Sequence, residues 1–282
     1  MTCSECKKNG KEATDHSAKN SIKCPYNKGK HVATRSNVKI SDRINVNSTS
    51  IIEKKKEFVK LNLKILELIL KDPSLLKEDD IIIKKKLQSQ GNSDSQGTGN
   101  QITSQESSFA KVLEINGFTF IPKSKKNDHI NHIQKNNIID GFYYIYQVNG
   151  TQASIDFATI LIIDKLIIEQ FNFDLKHTTS NIFYLNDGWF HKDIIYIVSW
   201  IKKLKKEKEN MIFIGLGQDI PTKEENDEMK ILLNFKKEKN SSNKKVGSLY
   251  TYIRFANRFS CERFNIDYTN DKFKKVKDFI NK

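Results

Sequence analysis

Two carboxylates and one lysine in the middle of the chain could do chemistry together. Asp156 opens an apolar run, Asp156 to Ile163, and Asp174-Leu175-Lys176 closes the next, Leu166 to Lys176. Residues two apart on a strand share a face, so Asp174 and Lys176 project one way while Phe171, Phe173 and Leu175 point into a core. A hairpin about Asp164-Lys165 brings Asp156 beside Asp174. Two hard carboxylate oxygens, with waters and a substrate phosphate, suit Mg2+, which seldom uses a full protein cage. Such a metal polarises a phosphoryl group and lowers the pKa of a bound water. Lys176 is placed to orient that water or to offset charge building on the phosphate. Glu169 is a further carboxylate nearby, but its parity puts it on the opposite face from Asp174 unless a bulge intervenes.

Asp-x-Lys alone is commonly no more than a solvated strand face, and its surroundings carry the argument further. Gly150-Thr151-Gln152 precedes Ile155-Asp156-Phe157, and Asp174-Leu175-Lys176-His177-Thr178 follows. Then come Asn186-Asp187-Gly188-Trp189 and the apolar strand Ile194-Ile195-Tyr196-Ile197-Val198. Over about residues 140–200 this pattern resembles the PD-(D/E)xK nuclease core, and most closely its type II restriction endonuclease branch. It departs from that pattern where Ile155 replaces the usual proline and Asp174 replaces the commoner Glu. The resemblance implies an α/β fold, a restriction-endonuclease-like core with a central mixed sheet flanked by helices. It implies Mg2+ on Asp156 and Asp174, with Lys176 catalytic. Gln152 is the weaker candidate, for holding the active-site loop or a water.

Three of the four cysteines lie in the first 24 residues, which is unlike a disulfide framework and more like a metal site. Cys3 and Cys6 have the spacing that grips one tetrahedral zinc ion, and Cys24 would be a third ligand. The fourth is His31 or His16; His31 is preferred, because Cys24 and His31 flank the compact turn Pro25-Tyr26-Asn27-Lys28-Gly29. Such a module would be structural, and Lys19, Lys23, Lys28, Lys30 and Arg35 suggest contact with DNA. The alternative is unligated thiols in a frayed terminus. Thr14-Asp15-His16 with Asn20, Cys24 and His31 superficially resembles an HNH nuclease, but the apolar strands of that unit are missing. Asp128-His129 and His132 lie in a Lys/Asn-rich loop.

The elements that position these residues follow from hydrophobic spacing. Residues 1–45 show no clear period and form the zinc-module candidate. Residues 46–87 read as helical: Phe58, Val59, Leu63, Leu66, Ile69 and Leu70 recur at three and four. Asp72-Pro73 reads as an N-cap with proline at the first position of a second helix, running through Ile81 to Leu87. Residues 88–108, rich in Gly, Ser, Gln and Asn, read as a flexible linker or long loop. The nuclease core would then span 109–282, opening on a short helix, Ala110 to Ile115. Strands are expected over Phe118 to Ile121, Phe142 to Gln147, the two runs above, Ile194 to Trp200 and Met211 to Gly215. A basic helix, Ile201 to Glu209, is expected between the last two. A helix near Lys223 to Phe235 precedes a polar loop, Lys236 to Val246. The arginines and aromatics of Leu249 to Phe259 are suited either to base contacts or to core packing. Cys261 reads as a buried small hydrophobe.

The chain has 282 residues, enough for one sizeable domain with an appendage. Its 48 Lys+Arg against 34 Asp+Glu leave a net charge of +14, which favours a polyanionic partner. A Lys-, Asn- and Ile-rich composition also arises from AT-rich coding DNA, so charge by itself does not decide. No secretory leader or membrane-spanning run is visible, and an intracellular, cytoplasmic protein is expected. The joint expectation is a Mg2+-dependent endonuclease, carrying a structural Zn2+ module and acting as a homodimer on double-stranded DNA at specific sites. A repair or recombination nuclease on the same core, or a non-catalytic zinc-containing DNA-binding protein, are the alternatives.

Overall fold

The computed structural model describes residues 48–88, 102–122, 133, 135–136, 138–147, 155–186, 189–203, 208–242 and 256–282. All belong to Asn47–Lys282, the second of the two units into which the chain divides. Cys3, Cys6, His16, Cys24, His31 and Gln152 lie outside the described residues.

A mixed six-stranded sheet organises this unit, in the order β1-β2-β3-β4-β6-β7. The strands are β1 (Thr119–Phe120), β2 (Gly141–Tyr146), β3 (Phe157–Ile163), β4 (Leu166–Thr178), β6 (Ile194–Lys203) and β7 (Lys208–Leu216). β2, β3 and β4 form an antiparallel meander, whereas β1 runs parallel to β2 and β6 parallel to β4. β3 is buried along its whole length, as a central strand covered on both faces must be. The β3–β4 hairpin turns on Asp164 and Lys165, both with positive φ (52° and 61°), the geometry of a two-residue turn that matches strand twist. The backbone N–H of Asp164 donates to Asp140 Oδ1 at 2.9 Å and ties the turn to the start of β2.

One face of the sheet is covered by helices α1 (Ser48–Lys71), α2 (Ile81–Gln88), α3 (Ser104–Ile115) and α5 (Ile266–Ile280). α1 lays Phe58, Ile65, Leu66 and Ile69 on it, and the Phe58 ring stacks on Phe171 of β4 with centroids 5.5 Å apart. Asn62, in the middle of that stripe, is buried because Thr159 Oγ1 donates to its Oδ1 at 2.7 Å. The other face carries two separate apolar patches. Over β6 and β7 lie Phe183 and Leu185 of β5 (Ile182–Asn186) and Phe259 of β8 (Ala256–Ser260), which pair as a two-stranded antiparallel ribbon. Over β2 and β3 lie Ile121 and Ile133.

Several elements differ from the sequence expectation. Asp72 does cap Pro73, accepting from Ser74 N at 3.0 Å, but the turn is a short 3-10 piece, Pro73–Leu76. α2 then starts afresh under its own cap, Asp80, which accepts from the N–H groups of Ile82 and Ile83 at 3.0 Å. The expected linker ends early, because α3 begins at Ser104 on a reciprocal capping box between Thr103 and Glu106. In place of the basic helix expected over Ile201 to Glu209, the described residues 201–203 and 208–209 are the end of β6 and the start of β7, paired from Ile195–Leu216 to Lys203–Lys208. Pairing with a neighbouring strand overrides the helix propensity of lysine and glutamate there. Helix α4 (Lys223–Ser242) runs past Phe235 into the segment read as loop. β5 and α5 had no counterpart in the sequence reading. No helix among the described residues is long and apolar enough to cross a membrane.

Candidate functional site

Between the two apolar patches runs a polar stripe, the outward row Asn172, Asp174 and Lys176 of β4. The inward row of the same strand, Phe171, Phe173 and Leu175, enters the helix-covered core. Phe157 of β3 stands opposite Phe173 in the antiparallel register, so the next step places Asp156 opposite Asp174. The backbone holds that step: Asp156 N donates to Phe173 O at 3.0 Å, and Gln147 N donates to Asp156 O at 2.6 Å. Side chains facing each other in this way have Cβ atoms roughly 4.5–5.5 Å apart. The structure therefore brings together Asp156, Asp174 and Lys176, three of the four residues singled out for catalysis.

Each is held by a specific contact. Leu175 N donates to Asp156 Oδ2 at 2.8 Å, and Lys176 Nζ lies 2.5 Å from Asp174 Oδ1. The Asp174 side chain is 3% exposed and that of Lys176 25%. Burial, reinforced by the charge of Asp174, pushes the Asp156 carboxyl up to about 7 against the opposing pull of Lys176. Burial also raises Asp174, and outweighs its ion pair with Lys176. For Lys176 burial acts downward, but the charges of Asp174 and Asp156 more than reverse it and keep the ammonium protonated. Two desolvated carboxylates share one lysine, leaving negative charge that a further cation would offset.

Among the described residues no cluster of three or more His, Cys, Asp or Glu is placed to hold a metal ion. Of the described carboxylates, Asp156 and Asp174 are the pair that would face such an ion. Hard oxygen donors, few in number and deficient in positive charge, fit Mg2+, which keeps several of its waters.

The surroundings hold two residues that the sequence reading passed over. Tyr196 of β6 is the parallel neighbour of Asp174; it is fully buried, and its hydroxyl accepts from His191 N at 3.0 Å. Glu106 stands at the start of α3, with Thr103 N at 2.6 Å, Thr103 Oγ1 at 2.8 Å and Tyr146 Oη at 2.9 Å. Burial raises the Glu106 carboxyl, and the charge of Asp156 adds to that shift. The Thr103-Ser104-Gln105-Glu106 capping pattern was visible in the sequence, inside a segment that its composition marked as linker.

Other singled-out residues fall away from the site. Glu169 points to the helix-covered face and pairs with Lys55 of α1 at 3.1 Å, as its parity required. The one irregularity of the β3–β4 ladder falls at Leu161/Ile162, beyond Glu169 on the hairpin side. Phe259 is core, whereas Arg258 is exposed and sits 5.7 Å from the Tyr184 ring. Cys261 is buried, its thiol pushed up to about 12 by burial.

Comparison with family models, curated proteins and solved structures finds no match to this chain.

Proposed function

We propose that the chain is a Mg2+-dependent nuclease that hydrolyses phosphodiesters of DNA at Asp156, Asp174 and Lys176. One observation carries this reading: a half-buried carboxylate just before β3 and a buried one on β4 face each other, with a protonated lysine bonded to the second. Asp156 and Asp174 would hold the metal, which supplies charge neutralisation and a more acidic bound water.

The chain's own groups do the rest. Leu175 N–H fixes the Asp156 carboxylate, and Asp174 anchors Lys176 so that its remaining N–H bonds are free to donate. Lys176 directs these at the attacking water or at a non-bridging phosphate oxygen that gains charge as the reaction proceeds. Water adds across one P–O ester bond, giving a phosphomonoester and an alcohol. The parallel strand β6 beside the acidic strand, and the meander that delivers it, support the restriction-endonuclease-like reading of the core. Site-specific double-strand cleavage by a homodimer is the finer form of the proposal.

The test is incubation of the purified protein with unmethylated plasmid DNA and Mg2+, alongside Lys176→Ala and a sample with chelator. Discrete fragments from the native protein alone support a sequence-specific endonuclease at this site. Cleavage confined to branched or flapped substrates would assign a structure-specific nuclease. Binding without cleavage of any substrate would reduce the protein to a DNA-binding one, and equal cutting by the variant would rule out Lys176.

A further inference from the structure

On the sheet face opposite the aspartate pair, a groove of about 760 Å3 opens between α1 and the end of α5. Its floor is apolar: Val59, Leu63, Phe171 and Phe279. Its rim is Lys56, Lys60 and Lys64, spaced four apart and so aligned on one row of α1. Among the described residues none of these lysines has an ion pair or side-chain hydrogen bond. Lys55, on the neighbouring row, is already held by Glu169. Glu67 and Glu169 also line it, held by Lys277 and Lys55, so the groove is an apolar trough edged by three lysines that no carboxylate pairs among the described residues.

Helix α4 carries the complementary surface. Ile231, Leu232 and Phe235 are 70%, 45% and 46% exposed, an apolar stripe that the described residues leave open apart from Lys239 over the Phe235 ring. Glu224 and Glu228 precede Leu232 on one i,i+4 row, and neither carboxylate forms an ion pair among the described residues. The first part of α4 is anchored: Trp189 Nε1 donates to Asn226 Oδ1 at 2.8 Å, and Arg263 Nη1 lies 2.8 Å from Glu225 Oε1. The stripe is presented from a fixed base.

We propose that α4 of one copy of this chain docks in the α1–α5 groove of a second. Ile231, Leu232 and Phe235 cover the floor, and Glu224 and Glu228 meet the lysine rim. Residues four apart on any α-helix repeat about every 6 Å along its axis, so acidic and basic rows on the two helices match in spacing. Groove and helix are different patches, so the contact is heterologous and leaves each assembly with one free helix and one free groove. One helix in one groove buries less than the roughly 1,200–2,000 Å2 of a standard interface, so association is weak and concentration-dependent. The contact lies on the face away from Asp156 and Asp174, and the inference stands apart from the proposed catalysis.

Sedimentation velocity on the full chain tests it. The weight-average mass should rise steadily from low-micromolar to hundreds-of-micromolar protein, without a plateau at the dimer, and should fall with added salt. K60E/K64E and E224K/E228K should each remain monomeric with an unchanged circular dichroism spectrum. In an equimolar mixture the native helix of the first variant meets the native groove of the second, and the reversed helix meets the reversed groove, so self-association should return without a plateau at the dimer. Phe235→Ser removes the apolar half of the contact without altering charge, and should likewise give a monomer. A native protein that is monomeric throughout, self-association untouched by the swaps, or no pairing in the mixture would overturn the proposal.

Discussion

Asp156 and Asp174 sit where neither carboxylate is comfortable when ionised, because burial favours the protonated form of both and the charge of Asp174 adds to the effect on Asp156. The folded state therefore holds protons that the unfolded chain has already released between about pH 4 and pH 7. Stability of the metal-free protein falls as pH rises through that window, since the native state is then the one with more protons bound. Asp156→Asn removes the half-buried charge and keeps an acceptor for Leu175 N–H. The variant should melt above the wild type at pH 8 and close to it at pH 4, with Mg2+ narrowing the gap at pH 8. Equal melting temperatures at pH 8 without metal would show that the pair is not under this strain. Lys176→Ala should lower the cleavage rate by about 10²–10³-fold, the size seen when one positioned electrostatic donor is lost.

At the scale of elements, the site depends on how helices and turns are pinned against the strands. Thr103 caps α3 and at the same time holds Glu106, whose other oxygen accepts from Tyr146. Thr103→Ala should cost about 1 kcal/mol, read by denaturant titration, and should free Glu106 from its fixed position. Gly217 opens a 3-10 turn after β7 where a Cβ would lie 2.1 Å from the carbonyl oxygen of His191. His191 N is the donor to Tyr196 Oη beside Asp174, so this close approach backs the site. Gly217→Ala should destabilise the protein by about 1–3 kcal/mol or more, because backbone rather than a flexible side chain must move. A near-neutral outcome would mean that the segment around His191 yields easily and does not brace Tyr196.

For the whole molecule, the +14 net charge is the property most open to two explanations, a polyanionic partner or composition alone. Counterion release separates them: a partner that neutralises phosphates gives a log–log salt slope of about −0.9 per phosphate on duplex DNA. A steep slope with retained preference for one duplex sequence is expected. A shallow slope with no preference would leave the charge as composition. The architecture supplies the setting, since helices cover one face of the sheet and the other is divided into two patches separated by the acidic stripe.

The sequence by itself determined what depends on local spacing. The period of α1, the β3–β4 hairpin on Asp164-Lys165, the alternation that sends Asp174 and Lys176 away from Phe173, and the parity of Glu169 are all consequences of neighbours a few residues apart. Tertiary structure alone decided what depends on long-range pairing. Residues 201–203 and 208–209, read as helix from their lysines and glutamates, are strand because β6 and β7 satisfy each other's backbone, which no local propensity could announce. The β5–β8 ribbon pairs residues 70 to 78 positions apart, and a strand whose partner is remote leaves little trace in its own sequence. Glu106 comes near Asp156 only because α3 packs Phe109 against Phe157 and Phe173, at ring distances of 5.1 and 5.5 Å. The capping pattern was legible there, but its place in the site was set by the packing of a helix on a sheet.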